Sequence, residues 1–185
     1  MKDYVKTFLQ IVFVLSVAFP LFADEKNIKK EPLVKKGGIS SFKLVNECVP
    51  FDNVVTGGQP TFDQLRMAHE AGFKAIVNLR TDKEQPSPAE ESTWVEELGM
   101  KYFPIPVEGA QGVSLENAGL LAGILSKEET YPLIVHCQSG NRVGALFAVK
   151  TFSLDGKSEK EALAIGREAG LTTLAPVVQK IFRHK

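Results

Sequence analysis

Two residues in the stretch "PLIVHCQSGNRVG", residues 132 to 144, have the types and spacing to do chemistry together: Cys137 and Arg142. A cysteine thiolate is a strong nucleophile, and a guanidinium can grip two oxygens of a tetrahedral anion at once. The apolar run before Cys137 reads as a buried strand and the pattern after Arg142 as a helix, with Gly140 and Gly144 permitting a sharp turn and close packing. A strand that enters a tight loop and then a helix start aims successive backbone N–H groups at one point, where the helix dipole adds positive potential. Such a nest binds oxyanions and stabilises a thiolate. A cysteine and an arginine at this spacing carry little meaning alone; the strand, the loop glycine and the helix supply it. The plain alternative is a buried cysteine at a strand end, with the arginine capping a neighbouring element.

The rest of the chain alternates strand and helix signals. "FKLVNECVPFDNVVTGGQP" offers one or two short strands, the clearer over 53–56, closed by Gly57, Gly58 and Pro60. "TFDQLRMAHEAGF" is predicted as a helix, with Thr61 and Gln64 spaced as a capping box and Gly72 as its stop. "KAIVNLR" is a strand, "TDKEQPSPAE" a loop, "EESTWVEELGM" a helix and "KYFPIPV" a strand that leads into the loop "EGAQG". "SLENAGLLAGILSKEE" is a helix with Ser114 as N-cap, and after "PLIVHC" come helices in "NRVGALFAVKTFSL", "SEKEALAIGREAG" and "LAPVVQKIFRH". Strands that alternate with long helices predict a largely parallel sheet with helices on both faces. Ligands then bind where loops leave the carboxyl ends of the strands, which points to the loops after Arg80, Val107 and Cys137.

The chain has 185 residues, room for one domain, with 44% hydrophobic and 24% charged residues. From Leu44 onward, 14 Lys/Arg face 18 Asp/Glu, a balance that does not predict a nucleic-acid partner. Residues 1–23 have the layout of a secretory signal peptide: Lys2 and Lys6 precede an apolar run that ends at Ala23 before "DEK". Cleavage there gives an exported protein, periplasmic or secreted, with no stable membrane insertion; an uncleaved anchor is the alternative. Residues 24–43, with six lysines and the pair Gly37-Gly38, read as a linker, which leaves 44–185 as the functional domain. In an oxidising compartment Cys48 and Cys137 could pair. If their strands run parallel, however, the two cysteines fall at opposite ends of the sheet, out of reach of one another. His69 and His184 form no spaced cluster with other ligands, so no metal site and no cofactor are expected.

"VHCQSGNRVG" resembles the signature loop of the cysteine-dependent protein tyrosine and dual-specificity phosphatases. The wider pattern, "VVTGGQPTFDQLRMAHEAGFKAIVNLR", then "YFPIPVEG", then "VHCQSGNRVGAL", is similar to the bacterial branch found in beta-lactamase-hydrolase-like proteins and in phosphatase domains fused to NAD kinase. The resemblance covers roughly 45 to 180. It implies a three-layer α/β cysteine-phosphatase-like fold around a mostly parallel sheet of four or five strands, a phosphorylated substrate (a protein or a small molecule) and no metal. By the same resemblance Cys137 is the nucleophile, passing through a phosphocysteine. Arg142 holds the phosphoryl oxygens, and the amides of Gln138, Ser139, Gly140, Asn141 and Arg142 line the pocket. His136 tunes the thiolate or is a structural strand residue. The general acid falls at Glu108, with Asp82 and Glu84 as weaker substitutes.

Two departures bear on activity. The usual phosphatase loop has five residues between cysteine and arginine, whereas "QSGN" is four, the spacing of rhodanese-type sulfurtransferases. Val143 also stands where phosphatases usually carry a hydroxyl residue. Phosphate-ester hydrolysis is therefore the leading expectation, with sulfur transfer and non-catalytic anion binding as the alternatives.

Overall fold

The structure, a computed structural model, describes residues 31–38, 40 and 42–184. The expected signal peptide and residues 24–30 of the expected linker lie outside them. Among the described residues, five strands and six α-helices follow in order: β1 (Cys48–Phe51), β2 (Val54–Gly57), α1 (Phe62–Glu70), β3 (Ala75–Asn78), α2 (Pro88–Glu97), β4 (Lys101–Pro104), α3 (Leu115–Leu125), β5 (Leu133–His136), α4 (Asn141–Ser153), α5 (Glu159–Glu168) and α6 (Ala175–Arg183). The helix starts follow the sequence signals. Thr61 and Gln64 close a full capping box on α1, and Ser114 caps α3.

The strands form one sheet in the order β1-β2-β5-β3-β4. β5 lies between β2 and β3, parallel to both, and β4 runs parallel to β3. β1 alone is antiparallel, because only a short turn connects it to β2. The strand AIVN of β3 and LIVH of β5 are buried on both faces, as continuous apolar runs predict. Alternation along them divides the core in two. Val77, Leu133 and Val135 face α3 to α6, where Leu121, Leu146, Phe147 and Phe182 pack. Ile76 and Ile134 face α1 and α2, where Leu65, Ala68 and Val95 pack.

The expected linker is corrected by the packing. Val34 and Phe42 are buried in the second cluster, and the Asn53 amide donates to the Val34 carbonyl at 2.7 Å. The domain therefore begins near Pro32: a few apolar residues in a lysine-rich segment were enough to seat it on the β1–β2 hairpin. β1 also changes the cysteine geometry. Cys48 pairs with Thr56, and Thr56 pairs with Val135, so both cysteines lie toward the same end of the sheet. They are nonetheless free thiols. Two strand spacings, about 10 Å, separate Cys48 from β5, beyond the reach of a disulfide.

Helix α4 follows the Cys137 loop, and its placement depends on Gly144. A Cβ there would lie 2.0 Å from the Leu171 backbone nitrogen and 2.5 Å from the Gly166 carbonyl oxygen. Both obstacles are main chain and cannot rotate away. Gly144→Ala should destabilise the fold by about 3 kcal/mol or more through overpacking, measured by urea unfolding. A loss under about 0.5 kcal/mol, the size of a neutral surface change, would mean that α4 can move without cost.

Candidate active site

β5 ends at His136, and the chain leaves the sheet at Cys137 between the ends of β2 and β3. Gly140 takes the left-handed conformation, φ 88°, and α4 starts immediately after it. This turn brings the Gly140 amide back onto Cys137 Sγ, to which it donates at 3.1 Å. The double glycine of "TGGQP" makes room for the loop. A Cβ on Gly58 would lie 2.8 Å from the Gln138 carbonyl oxygen, and Gly58 forms an isolated β-bridge with Ser139. Gln138 and Ser139 are exposed, while Asn141 ties the loop to the α5–α6 connection by accepting from the Thr172 amide and donating to the Thr173 hydroxyl. Val143 is fully buried in the core, so no hydroxyl follows the arginine.

Arg142 is brought to this turn as expected, but it is held by a residue that the sequence ranked low. Glu84, on the loop after β3, takes its guanidinium end-on, with Nη1 to Oε1 at 2.8 Å and Nη2 to Oε2 at 2.7 Å. Nη1 also donates to the Val107 carbonyl at 2.9 Å and lies 3.4 Å from that of Leu79. The Nε–H and the second Nη2–H have no oxygen acceptor among the described residues. They form a parallel fork of the kind that binds two oxygens of an oxyanion. Hydrogen bonds to Glu84, and then the nearby Cys137 sulfur, push the Arg142 pKa up. Arg142 in turn lowers the Glu84 carboxyl to about 2. Glu84 is thus an ionised clamp and not a proton donor.

Glu108 follows Val107 directly, so its backbone is at the site, but its carboxylate is exposed and paired with Lys83 Nζ at 3.1 Å. Of its two readings, His136 takes the structural one and does not line the pocket. Successive strand residues face opposite sides, so it turns away from Cys137 and donates Nε2–H to Glu91 Oε1 at 2.6 Å, with both side chains wholly buried. It cannot touch a bound substrate, and its Nδ1 lies a marginal 3.5 Å from the Cys137 carbonyl. Glu91 in α2 also accepts from Gln59 at 2.6 Å and Asn78 at 3.1 Å. Asn78 donates to Tyr102 as well, and Arg80 donates to Gln59. This buried polar layer lies beneath the loop. Nothing in "AEESTWVEE" separates Glu91 from its surface neighbours. The one signal was three polar residues, Asn78, Arg80 and His136, at the same-facing ends of two apolar strands. Burial and then the Glu47 charge push the Cys48 thiol up. A cavity of about 750 Å³, lined by Phe51, Val54, Leu125, Tyr131 and Phe147, lies at the opposite end of the sheet and holds none of this chemistry.

The family described as "DSP-PTPase phosphatase fused to NAD+ Kinase" matches residues 41–175, most of the chain. The chain belongs to this phosphatase family. Its members are enzymes of the dual-specificity and tyrosine-phosphatase type. A beta-lactamase hydrolase-like protein of Xylella fastidiosa (strain Temecula1) is 27% identical over 123 residues; the match covers 64% of this chain and 28% of that relative. The chain thus spans about a quarter of the length of the curated relatives it matches. Among solved structures, a phosphatase candidate from Neisseria meningitidis z2491 has a TM-score of 0.62 at 18% identity, covering 76% of this chain and 99% of that one. The core catalytic domain of the PP-IP phosphatase SIW14 from S. cerevisiae, in complex with citrate, has a TM-score of 0.57 at 18% identity, covering 79% and 89%. These likenesses show the family's three-layer fold, with its five-stranded, mostly parallel sheet.

The Glu84 clamp sets a pH dependence. Its folded value of about 2 lies below the ordinary 4.5, so the stability it adds is complete above 4.5 and lost as pH falls through 2. Urea unfolding should show wild type losing more stability than Glu84→Gln between about pH 5 and about pH 2.5. Parallel curves for the two proteins would mean that the clamp contributes no such linkage.

Proposed function

We propose that this phosphatase hydrolyses phosphate monoesters through a phosphocysteine on Cys137. One observation carries the reading: the Gly140 amide donates to Cys137 Sγ, while Glu84 and two carbonyls take the end of Arg142 and leave its side fork, beside the Cys137 sulfur, without an oxygen acceptor. A phosphate monoester seats two oxygens on that fork. Sγ attacks phosphorus, the bond to the ester oxygen breaks, and the leaving alkoxide or phenoxide takes a proton from a general acid. Water then attacks the phosphocysteine and gives a proton back to that same acid group, which releases inorganic phosphate and returns the thiolate. We assign the remaining equatorial oxygens to the amides of Gln138 and Ser139, two exposed residues of the same loop. We assign the general acid to Glu108: Glu84 is locked as an anion, and Glu108 adjoins the carbonyl that holds Arg142.

The partner is a phosphorylated molecule, and the exposed loop at Gln138 and Ser139 suits a phosphate on a protein side chain or a small molecule. Sulfur transfer keeps only the short loop in its favour.

Release of phosphate from a small aryl phosphate under reducing conditions tests the nucleophile. Cys137→Ser should lower kcat by at least about a thousandfold, the scale of nucleophile loss, while still binding vanadate. Equal rates in both proteins would overturn the mechanism. Glu108→Gln should slow hydrolysis of an alkyl phosphate by about a hundredfold, and of an activated aryl ester far less, because only the poor leaving group needs the proton. Equal slowing of the two esters would place the acid elsewhere.

A further inference from the structure

Arg80 is the largest wholly buried side chain among the described residues. It lies two residues beyond β3 on the same side of the sheet as Asn78, and its Nη1 donates to Gln59 Oε1. Its Nε and Nη2 have no hydrogen-bond partner. A buried donor left unmade costs about 1–3 kcal/mol, and more on a charged group. A native fold that keeps two such donors on one guanidinium calls for an explanation beyond static support, because a static role would have them matched.

The carboxylate oxygen nearest Arg80 Nε is already in use. Glu84 Oε2 lies 3.6 Å from Arg80 Nε, but it accepts from Arg142 Nη2 at 2.7 Å. The other carboxylate oxygen, Oε1, is anchored by the Thr81 amide at 2.9 Å and the Thr81 hydroxyl at 3.3 Å. A pivot about that anchor of less than about 1 Å would bring Oε2 within bonding distance of Arg80. Two arginines therefore compete for one oxygen. In the free protein Arg142 has it. An oxyanion on the side fork of Arg142 changes the balance, because the oxyanion and Glu84 then share one cation and repel each other.

We propose that Arg80 is a positioning residue for oxyanion binding: when Arg142 takes the oxyanion, Glu84 pivots on Thr81 and passes Oε2 to Arg80. Arg80 thus contributes to affinity without touching the substrate, by gaining a hydrogen bond that the free protein lacks. The inference rests on the reading of Arg142 as the phosphoryl-binding residue.

A double-mutant cycle tests it, with inorganic tungstate as the probe and the full chain under reducing conditions. Arg80→Met should weaken tungstate binding roughly tenfold, a coupling of the size seen between contacting residues. In the Glu84→Gln background the same substitution should change affinity less than about twofold, because no carboxylate remains to be passed. Thermal unfolding reports separately on the fold. If Arg80→Met does not fold, Arg80→Lys, which keeps the charge but loses the fork, enters the same cycle. Losses that multiply in the double variant, or an Arg80 variant that binds as wild type does, would overturn the inference and leave the phosphatase reading standing. A wild-type protein that binds no tungstate would overturn both.

Discussion

The site is organised by the end-on grip of Glu84 on Arg142. A free arginine side chain has many rotamers, and a bidentate carboxylate with a backbone carbonyl beside it leaves it one. The grip requires three segments to converge: the start of α4, the loop after β3 that carries Glu84, and the carbonyl that follows β4. The strand order β1-β2-β5-β3-β4 meets that requirement, because the Cys137 loop leaves a strand flanked by β3, with β4 next in the sheet. The interaction consumes the end of the guanidinium and so leaves its Nε–Nη2 edge turned away from Glu84.

The sheet separates the Cys137–Arg142 turn from the buried groups that support it. Cys137 and Arg142 belong to the side of α3 to α6, whereas Glu91, His136, Asn78 and Arg80 form a buried polar layer on the side of α1 and α2. Burying Glu91 is tolerable because both its oxygens are used, by His136, Gln59 and Asn78. That layer fixes the ends of β3 and β5, from which both halves of the site depart. Burial and the Glu91 charge hold the Tyr102 hydroxyl protonated well above its ordinary range, so it remains a donor to the Pro88 carbonyl and ties α2 to β4.

Glycine sets how closely the elements approach. Gly58 lets the catalytic loop lie against the end of β2, Gly140 supplies the left-handed turn that returns an amide to the sulfur, and Gly144 brings α4 onto the chain at Leu171. The short loop between Cys137 and Arg142 is accommodated by these contacts, with Val143 committed to the core. The two cysteines lie toward the same end of the sheet in different surroundings: Cys137 receives the Gly140 amide, while burial and the Glu47 charge push the Cys48 thiol up.

The order of the elements, the parallel core, the caps at Thr61 and Ser114 and the pairing of Cys137 with Arg142 were all legible from sequence. Each is written in local pattern: apolar periodicity, turn residues and a short motif whose geometry follows from strand, loop and helix. The start of the domain was misjudged because lysines dominate 24–43 in composition, whereas Val34 and Phe42 decide where the segment packs. The partner of Arg142 was not legible, since Asp82, Glu84 and Glu108 are equivalent as loop acids until the loops close on one another. Nor was the turning of His136 toward Glu91, which depends on strand parity and on the approach of a helix forty-five residues away. Local physics set the elements and the turn that carries Cys137 and Arg142. Which charges meet was decided only by tertiary packing, because charge pairing acts through space between loops that the chain separates.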